Sequence, residues 1–284
     1  MVVKCYAKIN VVLNVNGVRE SDGYHDLDMV MIPLELHDSI QFTKLKDKTE
    51  SYITFADFST GGIENNIVTK IINYVEKESG VKDHFRVLIN KNIPISAGLG
   101  GGSSNAAGAL TAINKLSKAN LSEQEMINIG FSVGSDVPFF VKGKPARVRG
   151  AGEIVDPINV KNTYYVLLVK PFEGLSTKDI YKRCDAFELK HYNVEDVIKA
   201  LETGDDELLE KSMGNALEAP AIDAIPEIQV IKDKMKELGL KIVMMSGSGS
   251  CVFALSTDKK LIKRAYLYFD ELNKYTVEMT KTKN

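Results

Sequence analysis

The run Pro94-Ile95-Ser96-Ala97-Gly98-Leu99-Gly100-Gly101-Gly102-Ser103-Ser104-Asn105-Ala106-Ala107 passes from a glycine-rich loop into an alanine-rich segment. Gly98, Gly100, Gly101 and Gly102 permit φ > 0 and leave their N–H groups free to approach a bulky anion. Ala106, Ala107, Leu110, Ile113 and Leu116 then fall at three- and four-residue steps, so the spacing predicts a helix from Ser103 onward. Its unpaired N–H groups and positive dipole end would face the loop, an arrangement suited to a polyphosphate. A flexible linker of similar composition would be flanked by polar residues. Here the strand-like run Phe85-Arg86-Val87-Leu88-Ile89 precedes the loop and an amphipathic helix follows it. No Gly-Lys-Ser/Thr closes the loop and Ser103 breaks G-x-G-x-x-G, so it is neither a Walker A sequence nor a dinucleotide fingerprint.

Outward from the loop, the first third reads as strands at Val2–Val15, Leu27–Leu34, Ser39–Thr43 and Tyr52–Phe55, rich in β-branched and aromatic residues. A helix from Asn66 carries Ile67, Ile71, Tyr74 and Val75 on one face, and Gly80 ends it. Ser122 with Glu125 three places on is a capping-box pattern for a helix to about Phe131. Pro145–Val155 suggests a strand pair or turn. The least regular stretch, 156–162, sets the expected boundary between domains 1–156 and 157–284. In the second half, strands are expected at Tyr164–Val169, Lys241–Met245 and Cys251–Leu255. Helices are expected at Thr177–Arg183, Val194–Leu201, Asp206–Met213, Glu227–Leu238 and Asp258–Leu272. Strands and helices are segregated, which points to α+β domains rather than a doubly wound parallel sheet.

Composition narrows the function classes. The chain has 284 residues, 44% of them hydrophobic, with 36 basic against 38 acidic side chains and a net charge of −2. Such a balance creates no field for nucleic acid or an anionic membrane, so neither is expected as a partner. The densest basic cluster, Lys259, Lys260, Lys263 and Arg264, reads as a solvated helix face. Cys5, Cys184 and Cys251 are odd in number, widely spaced and without C-x-x-C, as in reduced structural thiols of a cytoplasmic protein. Lys4, Lys8, Asn10 and Asn14 interrupt any signal-peptide core. The longest uncharged run, Asn92 to Asn114, holds Pro94 and several glycines, serines and asparagines, and is no membrane span.

Four further segments matter: Ala7-Lys8-Ile9-Asn10, Asp22-Gly23-Tyr24-His25, Gly134-Ser135-Asp136-Val137-Pro138 and Ser246-Gly247-Ser248-Gly249. Singly, each reads as a surface charge, a turn, a loop cap or a hairpin connection. In this order, with the 94–107 loop among them, they resemble the GHMP small-molecule kinases over nearly the whole chain. Asp-Gly-Tyr-His close after Ala-Lys-Ile-Asn is similar to the branch that phosphorylates the 2-hydroxyl of 4-diphosphocytidyl-2-C-methyl-D-erythritol in non-mevalonate isoprenoid synthesis. The resemblance implies a two-domain fold with an N-terminal ATP-binding α+β domain and a ferredoxin-like α+β C-terminal domain. It also implies ATP and Mg²⁺ as cofactors and a cytidylated polyol as substrate.

Carried over residue by residue, the resemblance makes Asp136 the base that receives the substrate proton, with Lys8 beside it to offset charge as the hydroxyl attacks the γ-phosphoryl group. Pro94 through Ser104 would hold ATP, with Asn66 near the adenine. Asn10, Tyr24, His25, Thr177 and Tyr181 would line the substrate pocket, Tyr24 and His25 at the cytosine end and Tyr181 as the opposite aromatic wall. Ser250 stands where relatives often carry proline or alanine, in a loop expected to act through its backbone. Ser103 or Ser104 could touch the metal; the metal ligands and the oligomeric state stay open. The competing readings are another kinase of the superfamily, acting on homoserine or a mevalonate derivative, and a catalytically inert nucleotide sensor on the same fold.

Overall fold

The computed structural model describes residues 1–46, 50–56, 66–78 and 81–284. The first half runs β1 (Val2–Val18), β2 (His25–Lys44), β3 (Tyr52–Phe55), α1 (Ile67–Glu78), β4 (Phe85–Asn90), α2 (Gly101–Ser117), α3 (Glu123–Val133), α4 (Val137–Lys142), β5 (Ala146–Gly150) and β6 (Ile154–Pro157). The second continues with β7 (Tyr165–Pro171), α5 (Thr177–Cys184), α6 (Val194–Thr203), α7 (Asp206–Ser212), β8 (Gly214–Asn215), α8 (Glu218–Ala224), α9 (Glu227–Glu237), β9 (Ile242–Met245), β10 (Val252–Ser256), α10 (Lys259–Glu271) and β11 (Tyr275–Lys281).

Two sheets carry the molecule. The larger orders β3-β4-β2-β1-β8, with β5 joined to β2 and β6 to β5. The smaller orders β11-β7-β10-β9, all antiparallel. Taken along the chain, that is strand order 4-1-3-2 with helices after its first and third strands, the ferredoxin-like split βαβ arrangement.

The two strands expected at Leu27–Leu34 and Ser39–Thr43 are one continuous strand, β2. The polar stretch Glu35-Leu-His-Asp-Ser39 stays in the strand because β1 pairs with its second half, Tyr6 opposite His37, Cys5 opposite Asp38 and Lys4 opposite Ser39, and takes up the irregularity at Glu35 and Leu36 as a register shift. Sequence reading also missed α4, α8, β8 and β11. All four span seven residues or fewer, too short to show a period, and β11 alternates only weakly between covered and exposed residues. The helix end expected at Gly80 lies outside the described residues.

Three apolar clusters form the core. One lies between α1, α2 and the larger sheet, with Val68, Ile71, Ala106, Leu110 and Ile113 facing Phe42, Phe85, Val87 and Ile89. β4 shows the simple pattern behind it, Phe85, Val87 and Ile89 buried and the alternate residues exposed. The other two clusters mix residues from both halves of the chain, as when Ile9, Val11 and Val30 meet Tyr164, Val166 and Phe253. β8 joins the larger sheet parallel to β1, Val12 opposite Gly214. β1 is therefore paired along both edges, by β2 and β8, and packed between residues of both halves, in keeping with its uninterrupted buried stretch from Ala7 to Val15.

Candidate active site

The charged and polar residues of β1 are placed by irregularities in its pairing. Register shifts fall on either side of the Lys8–Asn10 segment, and such bulges re-aim side chains. Pro33 stands opposite Lys8 and has no N–H to give the ladder. Lys8 turns its own N–H out of the ladder to Leu99 O at 3.0 Å, tying the strand to the glycine loop. Lys8 Nζ donates to Asn10 Oδ1 at 2.7 Å and lies 3.6 Å from Asp136 Oδ2. The Lys8 side chain is only 4% exposed against 26% for Asp136, so the ammonium is held and the carboxylate is reachable. Asp136 sits at the N-cap of α4 yet makes no capping bond. Its oxygens carry no structural duty there.

The glycine loop departs from the sequence reading in one respect. Gly98 and Gly100 have φ of 71° and 70°, whereas Gly101 and Gly102 already belong to α2, which starts two residues earlier than expected. Left-handed Gly100 stands at the N-cap without a side-chain cap. The N–H groups of Gly101, Gly102 and Ser103 find no acceptor among the described residues, as the first turn of a helix requires. At Gly98 a Cβ would come 2.0 Å from Ser246 O. The Ser246–Gly249 turn is pressed onto the loop at that point, and Ser246 Oγ donates to Gly98 O at 3.0 Å. Asn215 clamps the turn from behind, its Nδ2 donating to Met245 O and Gly247 O at 3.0 and 2.8 Å.

These pieces enclose a cleft of about 480 Å³. Its wall includes Lys8, Asn10, Asn66, Pro94, Ile95, Ser96, Ala97, Gly98, Leu99, Gly100, Gly101, Gly102, Ser103, Asp136, Thr177 and Tyr181. Residues from both ends of the chain thus meet around one space. Asn66 Oδ1 accepts the N–H of Val68 at 2.8 Å, so Asn66 also caps α1. Thr177 Oγ1 and Ser248 Oγ share a 2.9 Å hydrogen bond.

Three residues expected at the site are not on its wall. Ser104 is buried in α2, its N–H bonded to Gly100 O at 2.9 Å, because the helix begins before it. His25 stands behind Tyr181, their ring centroids 4.8 Å apart and tilted by 37°. Its Nε2 is buried, 3.9 Å from Asp185 and without a hydrogen-bond partner. Tyr24 is 55% exposed, its ring centroid 6.3 Å from that of Phe131. Burial pushes the Tyr181 hydroxyl up, with the Asp136 charge adding to it, so Tyr181 stays a neutral aromatic wall.

Sequence reading missed two groups on the wall. Lys91 pairs with the buried Asp38, whose other oxygen accepts the N–H groups of Asn92 and Ile93 at 2.7 and 2.8 Å. A Cβ at Gly101 would lie 3.2 Å from Lys91 Nζ, which puts the ammonium over the start of α2. Asn105 is 4% exposed and its Oδ1 has no partner, although buried polar atoms are nearly always satisfied. The available signals were the carboxylate of Asp38, fully buried within β2, and an amide next to the alanines at the start of α2. Among the described residues no three His, Cys, Asp or Glu stand close enough to hold a metal ion. No helix among them is long and apolar enough to cross a membrane.

Comparison with known proteins agrees with this geometry. Residues 66–144 match the GHMP kinases N terminal domain and residues 197–274 the GHMP kinases C terminal domain. The 4-diphosphocytidyl-2-C-methyl-D-erythritol kinase of Bacillus pumilus is 38% identical over 93% of this chain and 90% of its own. The enzyme of that name from Clostridium perfringens is 37% identical over 100% and 99%. A crystal structure of 4-(cytidine 5'-diphospho)-2C-methyl-D-erythritol kinase superposes over 100% of both chains with a TM-score of 0.82 at 29% identity. Homoserine kinase from Cytophaga hutchinsonii, 19% identical, shares the fold with a TM-score of 0.75 over 99% and 94% of the two chains. The ordered motifs, the two sheets and full-length relatives above 35% identity all lead to one family, and the chain belongs to the 4-diphosphocytidyl-2-C-methyl-D-erythritol kinases of the GHMP superfamily.

Proposed function

We propose that this protein transfers the γ-phosphoryl group of ATP to the 2-hydroxyl of 4-diphosphocytidyl-2-C-methyl-D-erythritol, a step of non-mevalonate isoprenoid synthesis. The observation that carries the reading is the Lys8–Asp136 pair, 3.6 Å apart, at the foot of a cleft walled by a glycine loop and a helix N-terminus. The Asp136 carboxylate would accept the hydroxyl proton as the oxygen bonds to phosphorus and the bond to the bridging oxygen of the leaving ADP breaks. Lys8 sets a fixed positive charge beside that oxygen, oriented by Asn10. The N–H groups of Gly101, Gly102 and Ser103 would receive phosphate oxygens. Lys91 adds a cation at the same end of the helix.

The donor set also fits Mg²⁺, which needs few protein ligands when phosphates supply the rest. Ser103, on the wall at the start of α2, would share it, and the ion would neutralise charge on the transferred group. Tyr181 would form an aromatic wall of the substrate region with the tilted His25 ring packed against it, and Tyr24 would have to approach from outside the cleft wall. We treat 1–156 and 157–284 as the two domains, and place the enzyme in the cytoplasm, where three free buried thiols are at home.

The test is ADP release and product mass with Mg·ATP and each of three alcohols: the cytidylated methylerythritol, homoserine and mevalonate. Phosphorylation of the first alone is the expected result. Turnover of either other alcohol instead would overturn the substrate assignment, and ATP binding without any turnover would favour a sensor.

A further inference from the structure

The Asp-Gly-Tyr-His segment contains an aspartate that reaches no part of the cleft. Asp22 is instead the centre of a closed turn between β1 and β2. Its Oδ1 accepts the N–H of Tyr24 at 3.1 Å, while Arg19 N–H donates to Tyr24 O at 2.7 Å and Gly23 N–H to Arg19 O at 2.9 Å. The Arg19 guanidinium grips both Asp22 oxygens, with Nε 3.2 Å from Oδ1. A two-pronged grip of this kind fixes orientation as well as attraction.

The free side of the same guanidinium leaves the hairpin. Its Nη1 donates to Glu153 Oε1 at 2.5 Å, across 134 positions of sequence. Glu153 belongs to the turn that follows β5, and its Oε2 accepts the N–H of Ala151 at 2.6 Å, so the carboxylate closes that turn. Gly152 stands at the apex with φ of 117°, and a Cβ there would come 2.2 Å from Ser135 O. The backbone of the turn therefore bears directly on the residue before Asp136. Desolvation raises the Glu153 carboxyl, but the Arg19 hydrogen bond and the backbone donors outweigh it and hold the group below the usual carboxylate range.

We infer that Arg19 and Glu153 are a positioning pair that couples the Tyr24–His25 hairpin to the Ser135–Asp136 loop, so that seating of the substrate's cytidine end sets the catalytic carboxylate. The inference rests on the proposed function above. As plain surface ion pairs these contacts would contribute nothing to turnover. As a link they govern geometry, and a displacement of about 1 Å at a reacting group can cost on the order of a hundredfold in rate.

The experiment compares Arg19→Ala, Arg19→Lys, Glu153→Ala and the Arg19→Ala/Glu153→Ala double variant with the unsubstituted enzyme. Arg19 and Glu153 are partly solvated, so these variants should fold. For Arg19→Ala, kcat is expected to fall roughly ten- to a hundredfold, with KM for the cytidylated substrate raised and KM for ATP unchanged. Arg19→Lys should restore part of the loss, and the double variant should be no worse than the worse single one. Hydrogen exchange on the substrate-free protein gives a second readout, independent of substrate identity. In Arg19→Ala it should quicken in 19–25 and also in 134–137 and 149–153. Faster exchange confined to 19–25, an unchanged kcat, or additive losses would overturn the coupling. Failure of the unsubstituted enzyme to phosphorylate the cytidylated polyol would instead overturn the functional reading, while exchange still decides the link.

Discussion

At the residue scale, Asp136 makes no capping bond to α4, and its ion-pair partner among the described residues is Lys8. Asp136→Asn keeps its shape and removes the proton acceptor. The expected outcome, read by steady-state kinetics, is a kcat lower by roughly 10²–10⁴ with KM for ATP retained; full turnover would exclude Asp136 as base. Asn105 makes a converse case. Its orphaned amide costs stability unless a ligand satisfies it, so Asn105→Leu should raise KM for ATP while leaving the melting temperature equal or higher. A lowered melting temperature with unchanged KM would make Asn105 structural. Asp136 and Lys8 were legible in sequence because their motifs are ordered and short. Asn105 and Lys91 were not, since an amide in a helix and a lysine just after a strand carry no pattern until the fold shows what they face.

At the element scale, the glycine loop and the Ser246–Gly249 turn act as one unit because Gly98 leaves no room between them. Gly98→Ala would add a Cβ at φ 71°, a left-handed strain of roughly 1–2 kcal/mol, and force Ser246 O away. We expect ATP binding to weaken and kcat/KM to fall, measured by calorimetry and turnover. The capping box of α3 serves as the control. Ser122 accepts the Glu125 N–H and Glu125 reaches back to the Ser122 N–H at 2.7 Å, so Ser122→Ala should cost about 1 kcal/mol of stability by denaturant titration and leave activity intact. This box was read from two letters, because capping is local chemistry. The early start of α2 was not: glycines favour a loop by propensity, whereas Gly101, close under Lys91 and Ile93, and Gly102, near Ile67, are helical.

At the scale of the whole molecule, partnered carboxylates set the acid limit. Asp22 and Asp83 are held below their ordinary value of 3.8, by Arg19 and Lys44 respectively. Glu125 is held below 4.5 by Ser122, and Glu153 likewise once Arg19 outweighs its burial. A carboxyl with a depressed folded pKa stabilises above its unfolded value and loses that contribution as pH falls through the folded one. Glu278, raised by burial, works in the opposite direction. Four against one, thermal stability should hold down to about pH 4.5 and decline below it, as melting curves from pH 6 to 3 would test; a flat profile would show these pairs to be idle. The sequence by itself determined which segments carry chemistry, the alternation of strands and helices, and the caps, because those follow from neighbours a few residues apart. The tertiary structure alone decided that β2 is continuous, that both halves share their core, and that Arg19 meets Glu153. It also decided which expected residues face the cleft and which stand behind it. Those outcomes depend on contacts far apart in sequence, Tyr6 with His37 and Arg19 with Glu153 among them, where burial and pairing override local propensity and no periodicity reaches.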